Sequence, residues 1–330
     1  MNNAERAQAL VAASFCWDNH QCMPLRPGDH SFLPQLDRAR MAGFDAVTLN
    51  VGFGEQSPEQ HLRMVADFRR WVRGHADHYV LIEQADDLLA ARRTGRMGIL
   101  FDMEGANGIG EDVGLVSLYY DLGVRWMLIA YNRANRAGSG CLDSEDGGLT
   151  AFGREMVREM NGLGMTVCGS HCSRRTALDV LELSTQPVIF SHSNCAAVYD
   201  HPRNISDEMI RLCASQGGVI GINGIGAFLA PNGADLDDAI VAQIDHAVQL
   251  VGPDHVGLSL DYVYDLQEVI DYLRTAGHLF PDFSEDLPMV PPERLALIVE
   301  RLFGLGYADS DIRQIIGGAW LRIAQLNWRT

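Results

Sequence analysis

The sequence predicts an α/β fold, a (β/α)8 TIM-like barrel with a metal site at the C-terminal ends of its strands, and three observations carry that expectation. Eight short apolar runs alternate with stretches of helical periodicity along 330 residues. Four runs end at or beside residues of metal-ligand type, His20, Glu104, His171 and His192, and the eighth closes on Asp261. The first run leads into DNHQCMPL, which has no glycine, whereas a doubly wound open sheet usually carries a glycine-rich phosphate loop there. Near-continuous apolar runs separated by helices read as parallel strands covered on both faces. Eight of them suggest a closed barrel, whose active site lies where the strands end.

In chain order the runs are 12–20, 44–51, 97–104, 124–131, 164–171, 187–193, 218–224 and 255–261. Residues 33–41 place Leu33, Leu36, Ala39 and Met41 on a helical pattern that stops at Gly43. Residues 58–93 form a long amphipathic stretch with Leu62, Val65, Phe68, Trp71 and Val72 at helical spacing. Residues 150–163 open on a threonine cap and close at Gly164. Residues 173–183 and 206–215 each open on a serine, 237–250 precede the last strand, and 292–303 and 309–327 end the chain. Residues 262–291, rich in proline and acids, are the least regular part and read as a lid or an interface arm. No composition break divides the chain, so residues 1–330 are expected to be one barrel domain.

A formal net charge of −17 leaves no basic stripe to neutralise phosphates, which argues against nucleic acid and, more weakly, against anionic membrane surfaces. Seven scattered cysteines point to reduced thiols rather than a disulfide framework. The N-terminus lacks the pattern of a secretory signal, and no run approaches the roughly 18 apolar residues that span a bilayer. A soluble, cytoplasmic protein is the expectation.

A lone histidine at a strand end often caps the following loop. Here His171 and His192 recur in similar settings, Ser-His-Cys and Ser-His-Ser, at the ends of successive runs. Neighbouring strands lie about 5 Å apart, close enough for both imidazoles to share an ion. With Glu104 and His20 they make a nitrogen-and-carboxylate set suited to zinc. Asp261 fits either a loop cap or the carboxylate that a hydrolase needs to move a proton from water to a leaving amine. The remaining histidines (His30, His61, His75, His78, His201, His246, His255 and His278) read as surface or loop residues, and Cys168 as packing.

The order and wording of these motifs resemble the membrane (renal) dipeptidase family, metal-dependent barrels of the amidohydrolase superfamily. The resemblance runs from about Trp17 to Ile323 and rests on DNH, MEG at 103–105, GLTAFGREMVREMNGLGM, SHCS, FSHSNC, HPRNISDEMIRL and IRQIIGGAWLRI. It implies His20 as a ligand of a first metal, Glu104 as a bridge between two zinc ions, and His171 with His192 at the second. It also implies Asp261 as proton shuttle and Arg203 as the group that binds a substrate carboxylate, a task suited to a bidentate guanidinium. Family members are often dimers, so a homodimer is a further expectation from the resemblance.

Two positions depart from the family pattern. Where the family reads Asp-Gly-His-Asn-Asp, with the last aspartate on the metal, this chain has Cys22. Cys22 is either a thiolate ligand, keeping two zinc ions, or a buried thiol, leaving one. Where the family places a histidine beside the scissile carbonyl, this chain has Tyr131, which either donates a hydrogen bond to a developing oxyanion or merely packs at the mouth. The function expected is therefore zinc-dependent hydrolysis of a dipeptide or similar small amide carrying a carboxylate. The alternatives are a homologue acting on a non-peptide amide or lactone, and a barrel that only binds.

Overall fold

The computed structural model describes residues 2–277 and 286–329. Within them the strands are β1 (Trp17–Cys22), β2 (Ala46–Phe53), β3 (Tyr79–Leu81), β4 (Met97–Glu104), β5 (Val124–Leu128), β6 (Thr166–Cys168), β7 (Ile189–Phe190), β8 (Val219–Ile222), β9 (Val256–Leu258) and β10 (Tyr262–Val263). Their order is β10-β1-β2-β4-β5-β6-β7-β8-β9, every pair is parallel, and β3 pairs with β4 off this path. The eight apolar runs are thus the eight ring strands. The ring closes where the chain leaves β9: Leu260 N–H donates to Asp18 Oδ1 (2.8 Å), Asp261 N–H to the His20 carbonyl (3.0 Å), and β10 pairs with β1.

Alternation along the strands sorts side chains between two cores. On β4, Ile99, Phe101 and Met103 face the helices, while Leu100 packs inside the barrel. The interior cluster joins Leu100 to Trp17, Trp126 and Leu128, and Trp320 and Ile323 of the C-terminal helix Ala319–Asn327 plug it from below. Above this apolar layer the interior turns polar. Trp17 Nε1 donates to Thr48 Oγ1 (3.0 Å), and Thr48 Oγ1 and Trp126 Nε1 both donate to Asn19 Oδ1 (3.0 and 3.3 Å). Buried polar atoms need such partners, and here they form the floor of the mouth.

Three expectations are corrected. Residues 58–93 are not one amphipathic run: the helix Pro58–Gly74, opened by the Ser57/Gln60 capping box, gives way to β3 and then to the helix Ala85–Arg93. The triplet Tyr79-Val80-Leu81, with an aromatic and a β-branched residue in its first two positions, pairs with the free edge of β4 at Met97–Ile99. The first run starts too early, because residues up to Ala13 belong to the helix Asn3–Ala13. The stretch 262–291 is more regular than its composition suggests. It holds β10 and the helix Leu266–Thr275, capped by Asp265, and residues near 288 lie beside 224–226 through Gly226 N–H to the Pro288 carbonyl (2.8 Å). Residues 278–285, with His278, lie outside the described residues. No described helix is long and apolar enough to cross a membrane.

Candidate metal centre and substrate cavity

Period-two alternation puts Asp102 and Glu104 on the inner face of β4, and a bulge between Asp18 and Gln21 on β1 lets His20 and Cys22 share the inner side with Trp17 and Asn19. The other candidates sit beyond the last paired residue of their strands. His171 comes three residues after Cys168, His192 two after Phe190, Tyr131 three after Leu128, and Asp261 three after Leu258. Leaving the strand lets the backbone turn these side chains inward. Asn132, His171 and Asp261 have left-handed φ values of 59°, 62° and 55°, and they are the only described non-glycine residues that do. Each costs about 1–3 kcal/mol, and such strain concentrates at functional sites.

The candidates converge. Glu104 Oε1 lies 3.1 Å from His192 Nε2, 3.4 Å from His171 Nε2 and 3.7 Å from His20 Nε2. His20 Nε2 lies 3.3 Å from Asp261 Oδ1 and 3.5 Å from Cys22 Sγ, and Cys22 Sγ is 3.6 Å from Asp261 Oδ1. Two groupings of ligand atoms result, His20/His192/Asp261 and Glu104/His171/His192. Donors bound about 2.0–2.2 Å from a tetrahedral zinc ion stand roughly 3.3–3.5 Å apart, so these spacings fit that metal.

Partners on the far side of each ring aim the Nε2 atoms inward. His20 Nδ1 pairs with buried Asp102 Oδ2 (2.9 Å), His171 Nδ1 with Asn132 Oδ1 (2.7 Å) and His192 Nδ1 with Ser191 Oγ (2.8 Å). Such partners fix the tautomer of a ligating imidazole. His171 Nε2 and His192 Nε2 approach to 2.8 Å, where two lone pairs repel unless a proton or cation lies between them. Asn132 is itself held by the close approach of Gly140, where a Cβ would come within 2.1 Å of the Asn132 backbone.

The electrostatics favour a cation. Burial pushes the His171 and His192 imidazoles well below their ordinary values, aided by Arg203 at His171 and by His20 at His192, so both stay neutral. Burial also works against a charged His20, but Asp102, Cys22 and Glu104 outweigh it and raise its pKa. Glu104 is pushed up to about 8 by burial, against the pull of His20. Asp261 moves the other way: burial is outweighed by its hydrogen bond with His20 and by its interactions with the neighbouring His192, His20 and Arg203. Burial raises the Cys22 thiol despite the neighbouring His20.

Over the cluster opens a cavity of about 510 Å³, within the range of small-molecule sites. Arg203 on its wall is 4% exposed, and its Nη2 donates to His171 Nε2 (3.0 Å) and to the His192 carbonyl (3.3 Å). Its Nε and Nη1 have no hydrogen-bond partner among the described residues. Tyr131 stacks on the His171 ring at 4.3 Å, and burial, then Glu104, raises its pKa well above the ordinary value, so it stays a phenol.

Every residue singled out from the sequence, Cys22 and Tyr131 included, lies at this mouth. Two histidine readings change. His61 is not a surface residue but 1% exposed, because it falls on the apolar face of its helix in register with Val65 and Phe68. His201 lies in a loop as expected, yet it lines the cavity, with Nδ1 accepting from Arg203 N–H (3.1 Å). Cys168 is buried and its thiol donates to Ser191 Oγ (3.0 Å). Asp102 was missed although its spacing of two from Glu104 puts both on one face. Asn132, Asn50 (Nδ2 donating to Asp102 Oδ1 at 2.9 Å) and Asn223 (Nδ2 donating to Asp261 Oδ2 at 2.8 Å) were missed because nothing local marks them.

A parallel barrel whose mouth gathers three histidines and two carboxylates is the architecture of a metal-dependent hydrolase. The particular family is settled by the chain itself: it belongs to the membrane dipeptidase family, peptidase family M19, whose model matches residues 5–327. An uncharacterised dipeptidase of Schizosaccharomyces pombe is 36% identical over 202 residues, which cover 59% of this chain and 48%, about half, of that relative. Among solved structures, an amidohydrolase from Pseudomonas aeruginosa superposes with a TM-score of 0.89 at 24% identity, covering 99% of both chains. A metallopeptidase from Rhodobacter sphaeroides, solved with a phosphinate mimic of the dipeptide L-Ala-D-Ala, gives 0.80 at 20% identity, covering 96% of this chain and all of that one (100%). At these identities the two structures speak for the fold.

Proposed function

We propose that this protein is a zinc-dependent hydrolase cleaving the amide bond of a dipeptide or a small dipeptide-like compound that carries a carboxylate. The observation that carries the reading is the convergence of the His20, His171 and His192 Nε2 atoms on Glu104 and Asp261, with every Nδ1 occupied. In this reading His20 and Cys22 would hold one ion and His171 and His192 another, with Glu104 available to either. Zinc bound there supplies Lewis acidity, polarising a carbonyl and making water acidic enough to act as a nucleophile near neutral pH.

The chain's own groups do the rest. Arg203, on the cavity wall, binds the substrate carboxylate through its guanidinium, a charge-assisted contact that also fixes orientation. Asp261, kept ionised and held by Asn223 Nδ2 at 2.8 Å, accepts the proton of the attacking water and returns it to the nitrogen of the leaving amine. The C–N bond then breaks with a neutral amine departing. Tyr131, a phenol at neutral pH, donates to the carbonyl oxygen as negative charge develops on it. The dipeptide mimic bound by the Rhodobacter sphaeroides metallopeptidase supports the substrate class. Seven unpaired cysteines support a reducing, cytoplasmic setting.

The test is metal content by elemental analysis of wild type and Cys22→Ala, paired with the absorption spectrum of the cobalt-substituted proteins. Two ions falling to one in the variant, with loss of the thiolate-to-cobalt absorption in the near ultraviolet, is the expected result. One ion and one spectrum in both proteins would remove Cys22 from the ligand set. A protein that binds no metal even when zinc is supplied would leave a barrel that binds rather than cleaves.

A further inference from the structure

Arg203 stands on the loop between β7 and the helix Asp207–Ser215, and that loop folds back on itself. Ile205 N–H donates to the Asn194 carbonyl (2.9 Å) and Ala196 N–H to the Ile205 carbonyl (2.9 Å), so its two ends pair. Beside it lies the four-residue helix Gly226–Leu229, which follows β8. The guanidinium carbon of Arg203 lies over the Phe228 ring of that helix, 5.3 Å from its centre, within cation–π range.

The same residue anchors the loop a second time. The last carbonyls of a helix have no partner inside it. Here the Phe228 carbonyl accepts from Asn204 Nδ2 (2.8 Å) and from Asn194 Nδ2 (3.2 Å), which engages both of its lone pairs. Asn204 Nδ2 also donates to the Tyr199 carbonyl (2.8 Å), inside the loop. The Leu229 carbonyl accepts from Gln243 Nε2 (3.2 Å), and Gln243 Oε1 accepts from Cys195 N–H (2.7 Å). Asn194 and Gln243 are fully buried, and buried amides with their partners in place specify one arrangement. A cavity wall needs only the ring of Phe228. The amides do more, because they join its backbone to the segment that carries the arginine.

We infer that Phe228 is a positioning residue for Arg203: its ring supports the guanidinium, and the clamp of Asn194 and Asn204 on its carbonyl sets where that guanidinium meets the substrate. The inference rests on the reading that Arg203 binds the substrate carboxylate. An arginine side chain has several rotatable bonds, and ordering it on binding costs affinity. A ring held beneath it restricts that freedom beforehand, so more of the charge-assisted contact is realised as substrate binding.

The experiment compares L-Ala-D-Ala with its C-terminal amide, which keeps the scissile bond and removes the charge that Arg203 binds. The zinc-loaded wild type, Phe228→Leu, Phe228→Tyr, Asn204→Ala and Arg203→Met are assayed on both. Asn204 does not line the cavity, so its variant tests the clamp without altering the wall. The wild type is expected to prefer the free acid. Phe228→Leu and Asn204→Ala should each lower that preference about tenfold, through a higher KM for the acid at similar kcat, with the amide cleaved as by wild type. Phe228→Tyr, which keeps an aromatic face, should retain it. An unchanged preference in Phe228→Leu and Asn204→Ala, beside its loss in Arg203→Met, would overturn the inference and leave the carboxylate reading standing. Equal losses on acid and amide in both variants would mark a structural role only and overturn it as well. A wild type that treats acid and amide alike, or a wild-type preference in Arg203→Met, would overturn the carboxylate reading and the inference with it. Failure of the wild type to cleave either compound or any dipeptide would overturn the amide-hydrolase reading together with both.

Discussion

Asp102→Asn tests the central cluster without touching a proposed ligand. Asp102 accepts two hydrogen bonds on separate oxygens, from His20 Nδ1 at 2.9 Å and from Asn50 Nδ2 at 2.9 Å. Asparagine keeps the shape but has a single acceptor oxygen, so one of those donors must face an NH2 group. Asn50 is also tied to Glu104 Oε2 at 3.3 Å, so a lost bond on either side loosens a proposed ligand. A hydrogen bond to a charged group contributes about 1.5–3 kcal/mol, and about 1.4 kcal/mol corresponds to a factor of ten in affinity. The expected loss of zinc affinity is therefore about 10- to 100-fold, the range typical of groups that orient a ligating histidine. Competition with a chromogenic chelator measures it directly, and thermal unfolding of the metal-free protein separates metal affinity from folding. Unchanged zinc affinity in a folded variant would refute the argument that Asp102 aims His20 at a metal.

Three further outcomes follow from the same geometry. Arg203→Lys replaces a planar fork by a point charge and is expected to raise KM about 10- to 100-fold with a smaller change in kcat; steady-state kinetics showing an unchanged KM would remove Arg203 from carboxylate binding. Tyr131→Phe deletes the proposed donor and should lower kcat about 100-fold at similar KM, whereas an unaltered kcat would reduce Tyr131 to a wall of the cavity. Asp67, buried away from the site, accepts from Gly28 N–H (2.9 Å), His30 Nε2 (3.0 Å) and Arg70, and these partners outweigh burial and lower its pKa. Its ionised form therefore stabilises the fold above the ordinary carboxylate range, and that stabilisation fades as pH falls through the lowered value. Asp67→Asn should cost about 1–3 kcal/mol at pH 7 and less near pH 3; equal losses at both in denaturant titrations would contradict this.

Much of the fold was legible because its signals are local. Apolar runs of strand length, serine and threonine caps, and the glycine ends of helices each depend on a few neighbouring residues. The exceptions are equally physical. Tyr79-Val80-Leu81 is too short to announce a strand, and it forms one because β4 leaves an edge open beside it. His61 looked like a surface residue until its place on the buried face of Pro58–Gly74 was taken into account.

By itself the sequence singled out the candidate residues that the structure gathers at one mouth: His20, Glu104, His171, His192, Arg203 and Asp261, with Cys22 and Tyr131 as departures from the family. For the histidines and acids, residue type and a place at a strand end sufficed, since a parallel strand delivers its last side chains to one rim, whereas Arg203 stood out only through the resemblance of its motif. Only the tertiary structure decided what surrounds them. Closure of β9 onto β1 brings Asp261 to within 3.3 Å of His20, across 241 positions of chain. Asp102, Asn132 and Ser191 aim the three imidazoles, and Asn132 gives no local signal because its role depends on a left-handed turn packed against Gly140. Contacts between distant segments depend on the closed ring as a whole, and for that reason short-range patterns do not reveal them.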